Sequence, residues 1–137
     1  MTWSTFEHQA DVGLQIDSVD GPTLFSDAGL AYLALVCELA AVREREVYDL
    51  ACQACSVEEL LVDWLNELIF LVEGRRVLWR RIELAEFSET SLRAVLHGEP
   101  VDPARHEFRS VVKAATYHAL VVARDRDGWH ARVILDV

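Results

Sequence analysis

Hydrophobic positions along this chain repeat with two different periods, and the changes of period mark out its elements. Over Asp11–Ser18, Val12, Leu14 and Ile16 alternate with polar or small residues, the period of a strand with one buried face. Asp20-Gly21-Pro22 reads as a turn, with Pro22 suited to a first helical position. Leu24, Phe25, Ala28, Tyr32 and Leu35 then fall at helical spacing and predict a helix to about Glu38. Val47, Tyr48, Leu50 and Cys52 predict a strand over 46–54. Ser56-Val57-Glu58-Glu59 has the form of a capping box, in which the serine and Glu59 each satisfy a free backbone amide. It opens the strongest helix, whose stripe of Leu60, Leu61, Trp64, Leu65 and Leu68 leads to about Glu73, with Gly74 as terminator. The remainder reads as strands at 77–84, 91–97, 111–122 and 129–137, with Arg124-Asp125-Arg126-Asp127-Gly128 as a hairpin turn between the last two. Two early helices and a strand-rich second half predict one α+β domain over residues 1–137. Its natural packing is two-layered, a mixed β-sheet with the two main helices on one face.

Composition narrows the classes of function. At 137 residues, 52% hydrophobic and 26% charged, the chain suits one soluble globular domain with a sizeable core. No apolar run reaches the ~18 residues of a membrane span. The N-terminal residues show no basic region followed by an apolar stretch, so the expectation is a cytoplasmic protein. Three cysteines, Cys37, Cys52 and Cys55, are too few for a secreted disulfide scaffold and are expected to be reduced.

The net charge of −10 is unevenly spread. Residues 1–70 hold 13 acids against Arg43 and Arg45, whereas residues 71–137 hold 10 acids and 11 bases. Such a chain repels phosphate over its first half and is ill-suited to gripping RNA or DNA by itself. An acidic face can instead steer a basic partner protein, although acidity also serves plain solubility. Twelve of the thirteen bases are arginine, and Lys113 is the single lysine. A lysine is a compact charge of tunable pKa where arginine is a planar fork, so this exception marks Lys113 for attention.

The C-terminal run Trp129 through Val137 is strand-like, with no polar tail after it. It places the Asp136 carboxylate and a terminal carboxylate on Val137 side by side, a donor pair that suits a hard divalent cation; the plainer reading is an edge strand that happens to finish there. Three further segments are dense in chemistry: His8-Gln9-Ala10-Asp11-Val12-Gly13, Asp63-Trp64-Leu65-Asn66-Glu67 and Val112-Lys113-Ala114-Ala115-Thr116-Tyr117-His118. Together with the final Asp136-Val137, these four segments, in this order and over essentially the whole chain, resemble the archease family. Asp102-Pro103-Ala104-Arg105-His106 resembles that family's loop before the lysine strand. Gln9 departs from the pattern, which commonly has threonine there.

The resemblance implies a non-enzymatic accessory protein of the GTP-dependent RNA ligase of tRNA splicing and RNA repair, one that promotes ligase guanylylation and multiple turnover. It implies a divalent cation, calcium before magnesium or manganese, held by Asp11, Asp136 and Val137. It also makes Lys113, His8, Asp63 and Tyr117 candidates for contact with the partner or a nucleotide. On a continuous strand Lys113 and Tyr117 would share one face and Thr116 and His118 the other, one pair being core. Asp63 can equally serve as an acid near a helix start, and His8 as a structural histidine. His97, His106 and His130 show no metal-ligand spacing.

Two other classes remain open from the residues. Paired carboxylates with a metal could activate water in a phosphoester or nucleotide hydrolase, although neither a nucleophile with its base nor a phosphate-binding glycine loop accompanies them. Cys52-Gln53-Ala54-Cys55 is a C-x-x-C before a helix, where a thiol pKa can be depressed, but no βαβ pattern surrounds it.

Overall fold

The computed structural model describes residues 2–8 and 11–137, with side chains for residues 2–5 and 11–137. Among the described residues eight strands and two long helices follow one another as β1 (Thr2–His8), β2 (Asp11–Ser18), α1 (Gly21–Val36), a short 3₁₀ turn (Leu39–Ala41), β3 (Glu46–Gln53), α2 (Val57–Glu73), β4 (Val77–Phe87), β5 (Ser91–Pro100), β6 (Ala114–Ala115), β7 (Val121–Asp125) and β8 (Gly128–Asp136).

The α+β class holds, but the expected single mixed sheet is two antiparallel sheets. The larger has the order β1-β2-β8, with β6 and β7 both on the far side of β8; the smaller is β3-β5-β4. Every named pairing is antiparallel. The reason lies in the connections. A parallel neighbour needs a crossover that returns to the adjacent position. Here α1 leads from β2 in one sheet to β3 in the other, and the β3-α2-β4 crossover leaves a gap of one strand that β5 fills antiparallel to both.

Local chemistry sets the helix ends. Asp20 caps α1 by accepting from the Thr23 amide at 2.8 Å, and Pro22 sits in the first turn, where its missing N–H costs nothing. Ser56 caps α2 by accepting from the Glu59 amide at 3.2 Å; the Glu59 carboxylate accepts from the Cys55 amide, one residue before the cap. Each helix packs against strands of both sheets, and one core unites them. Trp64 and Trp79, both fully buried, donate their indole N–H to the α1 carbonyls of Phe25 (2.8 Å) and Gly29 (3.3 Å), so α2 and β4 are each tied to α1 at a polar point inside the core.

The predicted strand over 111–122 is broken. Only Ala114–Ala115 and Val121–Asp125 pair with β8. Between them Tyr117 accepts from the Leu120 amide, and Ala119 takes a left-handed conformation (φ 52°). Gly128 closes the β7–β8 hairpin at φ 128°, where a Cβ would lie 2.2 Å from the Ser18 carbonyl oxygen. None of the helices among the described residues is long and apolar enough to cross a membrane.

Candidate functional site

The site is built by sheet register. In β2 the even positions Leu14 and Ile16 enter the core, so odd positions face the opposite side. In β8 the core positions are Ala131, Val133 and Leu135, so even positions face away. Antiparallel pairing sets Asp11 directly opposite Asp136, on the face turned from the core. Directly opposed residues have Cβ atoms about 4.5–5.5 Å apart, and like charges there repel. The row continues outward on both sides: His8 of β1 pairs with Asp11, and Ala114 of β6 pairs with Asp136. The His8 side chain, like Gln9 and Ala10, lies outside the described residues.

Lys113 reaches this row through its backbone. Its amide donates to the Asp136 carbonyl at 2.8 Å. Its exposed side chain lines a depression of about 530 Å³ with Asn66, Phe70 and Glu73 of α2. Asp11, Asp136, Val137 and the Lys113 backbone are therefore brought together. Asp63 and Tyr117 form a second group on the α2 side. Asp63 is held above the usual carboxylate range by desolvation and then by Glu59; desolvation and then Asp63 and Glu59 raise the Tyr117 hydroxyl. Neither of the expected face pairs is core: Lys113, Tyr117 and His118 are exposed, and Thr116 is half-buried with its hydroxyl bonded to the Ile134 carbonyl at 2.9 Å. The broken strand removes the alternation on which that expectation stood.

Asn66 is the residue that sequence reasoning passed over. Its Oδ1 accepts from the Ala115 amide at 2.8 Å, and its Nδ2 donates to the Ala115 carbonyl at 3.3 Å. One side-chain amide thus completes the free edge of the two-residue strand that bears on Asp136. Asn66 lay within a motif already singled out, but its partner is 49 positions away and no local pattern signals it.

The donor set can be judged by its chemistry. Two side-chain carboxylates and Val137 offer only oxygen, which suits calcium, magnesium or manganese and not zinc. Among the described residues no group of three His, Cys, Asp or Glu side chains gathers for a metal. A cation here would therefore rest on the carboxylate pair, on Val137 and on water.

Two other polar clusters organise the surroundings. Glu99 is buried and accepts from the Arg43 amide (2.8 Å), Arg105 (2.5 Å) and His106 Nε2 (3.0 Å), while His106 Nδ1 accepts from the Asp102 amide (2.8 Å). Burial opposes the Glu99 charge, yet Arg105, the Arg43 amide and His106 outweigh it and hold the carboxyl at about 2. The family-like loop at 102–106 is thereby clasped to the small sheet. On the same face as Asp11, His130 is held between Asp17 (2.7 Å) and Asp125 (3.1 Å), which raise its pKa. Cys52 is buried, and desolvation followed by Glu67 and Asp63 pushes its thiol up to about 11, the reverse of what a redox dithiol needs.

Comparison with known proteins gives the family and the fold. The archease protein family matches residues 3–137. The archease of Methanopyrus kandleri is 34% identical over 140 residues, covering 100% of both chains, and that of Pyrococcus abyssi is 29% identical, covering 98% of each. The solution structure of Methanobacterium thermoautotrophicum protein 1598 superposes with a TM-score of 0.77 at 27% identity, covering 98% of each chain. The 2.0 Å crystal structure of a Thermotoga maritima protein, described as an archease and possible chaperone, shares the fold with a TM-score of 0.70 at 20% identity, over 100% of this chain and 98% of that one. A family match spanning residues 3–137 makes this chain a member of the archease family.

Proposed function

We propose that this chain is a non-enzymatic accessory protein of a GTP-dependent RNA ligase in tRNA splicing and RNA repair, promoting ligase guanylylation and multiple turnover. The observation that carries the reading is the register of β2 and β8, which opposes Asp11 and Asp136 at the end of the large sheet, with the Lys113 amide bonded to the Asp136 carbonyl. A divalent cation shared by Asp11, Asp136 and Val137, calcium first on the donor set, would take its oxygens from directly paired residues and present a positive point to an oxygen from outside the chain.

The chain's own residues supply the rest. The ladder between β2 and β8 fixes the spacing of the two carboxylates. Asn66 and the Lys113 amide hold the third strand in place beside them. Lys113, the single lysine, offers its ammonium to an acidic or phosphate group of the partner complex. The surplus of acids over bases in the first 70 residues suits work on a protein surface and leaves RNA to the ligase.

The test is RNA ligation with the ligase limiting, with and without this chain and with and without chelator. The proposal expects product beyond one turnover per ligase only when this chain and a divalent cation are present, and loss of that stimulation in Lys113→Ala with folding unchanged. Product confined to one turnover in its presence would end the accessory reading; GTP or phosphoester hydrolysis by this chain alone, abolished in Asp11→Ala, would favour the hydrolase instead.

A further inference from the structure

Three large hydrophobic side chains that the fold leaves in water lie along one strip. Among the described residues these side chains include Phe70, Val111 and Tyr117, exposed by 54%, 57% and 58%. Segment 111–117 runs beside α2 in the opposite direction. Val111 and Lys113 share the 530 Å³ depression with Phe70 at the helix end, Ala115 is bonded to Asn66 midway, and the Tyr117 hydroxyl senses Asp63 and Glu59 near the helix start. From Glu59 to Glu73 the strip is about 21 Å long at 1.5 Å per residue. Ile69 and Val112, both buried, line the depression with Phe70 and Val111, whose exposure folding does not require. Phe70 also stands on the outer side of an amphipathic helix, where the pattern calls for a polar residue.

Charge decides what could cover the strip. α2 carries Glu58, Glu59, Asp63, Glu67 and Glu73 and no base. The cations near it include Lys113, Arg75 over the Phe70 ring at 5.9 Å, and Arg76, which donates to the Val72 carbonyl but is turned over the Phe108 ring. A second copy of the chain would set acidic helix against acidic helix, and RNA would be repelled. A basic protein surface with an apolar tip fits both the charge and the depression. The strip is also continuous with the candidate site, because Lys113 borders the depression and bonds Asp136.

We propose that this strip is the docking surface for the ligase: an aliphatic or aromatic side chain of the partner seats between Phe70 and Val111, and lysines or arginines around it meet Asp63, Glu67 and Glu73. The inference rests on the accessory reading and names the partner's seat for it. Docking here would bring the partner against the end of the sheet where Asp11 and Asp136 stand.

The experiment measures binding of the purified chain to the purified GTP-dependent RNA ligase of the same organism, by interferometry at low and high salt. The variants are Phe70→Ala, Glu67→Lys with Glu73→Lys, and, as a distant control, Glu86→Lys. Phe70→Ala should weaken binding at least tenfold, mainly through faster dissociation. The double charge reversal should slow association severalfold and flatten its salt dependence, and Glu86→Lys should bind as wild type. Calcium titration of each variant should match wild type, which separates docking from the carboxylate site. Wild-type binding that persists unchanged in both strip variants overturns the seat and leaves the accessory reading standing. A wild-type chain that does not bind the ligase overturns both. Concentration-dependent self-association abolished by Phe70→Ala would assign the strip to a second copy and overturn the proposal.

Discussion

Replacing Asn66 by alanine tests how a two-residue strand is held in place. β6 has only Ala114 and Ala115 in register with β8, and Ala115 is buried. The Asn66 side chain supplies both bonds that Ala115 makes away from β8, at 2.8 and 3.3 Å. Each such bond contributes about 1 kcal/mol net, and a buried backbone group left without a partner costs about 1–3 kcal/mol. Counting the longer bond as weak, Asn66→Ala should lose about 2–3 kcal/mol, a substantial part of a typical total of about 5–15 kcal/mol. That corresponds to a fall in Tm of roughly 6–10 °C for a chain of this size. Urea unfolding followed by circular dichroism measures the loss, and amide hydrogen exchange at Ala115 and Thr116 locates it. Asn66→Asp keeps the acceptor at 2.8 Å and should fall between wild type and alanine. Because β6 carries the Lys113 amide to Asp136, divalent affinity should fall as well. A change below about 0.5 kcal/mol in Asn66→Ala, with Ala115 exchange unaltered, would refute the reasoning.

Three other outcomes follow from the same structure. Glu99→Ala leaves His106 and Arg105 facing a buried gap and should cost on the order of 3 kcal/mol, with the 102–106 loop becoming sensitive to protease. Glu99 is held at about 2, so its contribution is present above the ordinary carboxylate range and is lost as pH falls from about 5 towards 2; acid titration of wild type against Glu99→Gln measures this. His130 behaves in the opposite sense. Its pKa is raised by Asp17 and Asp125, so its advantage over His130→Asn in thermal melts should be full just below pH 6.5 and fade as pH climbs through the raised value.

What the sequence disclosed depended on whether the decisive interaction was local. β2 coincides with its predicted range, Asp11–Ser18, because its alternation reports one buried face. The α2 start was legible because Ser56 and Glu59 cap within a few residues of each other, and the last hairpin because Gly128 must take a positive φ. β1 was not foreseen: Thr2–His8 lacks a regular apolar alternation and is held by pairing with β2. The division into two sheets was hidden because periodicity names buried faces and not pairing partners. The break in 111–122 followed from β8, which takes its neighbours from two separate stretches of that segment.

The candidate site divides along the same line. Motifs placed Asp11, Asp136 and Lys113 in one neighbourhood, and the register of β2 and β8 made Asp11 and Asp136 direct cross-strand partners. The electrostatic influence of Asp63 on Tyr117 and the amide pairing of Asn66 with Ala115 both act between distant segments. They exist only once α2 lies beside the edge of the large sheet.

The central claim is that Asp11 and Asp136 share one divalent cation. Calorimetric titration of calcium into the metal-free chain, wild type beside Asp11→Asn and Asp136→Asn, tests it most directly. The account predicts one calcium per chain for wild type and its loss in either variant, with a wild-type gain of about 2.7 kcal/mol in stability when calcium stands at a hundred times its Kd. Absence of binding to wild type at millimolar calcium, or binding that survives in both variants, would contradict it.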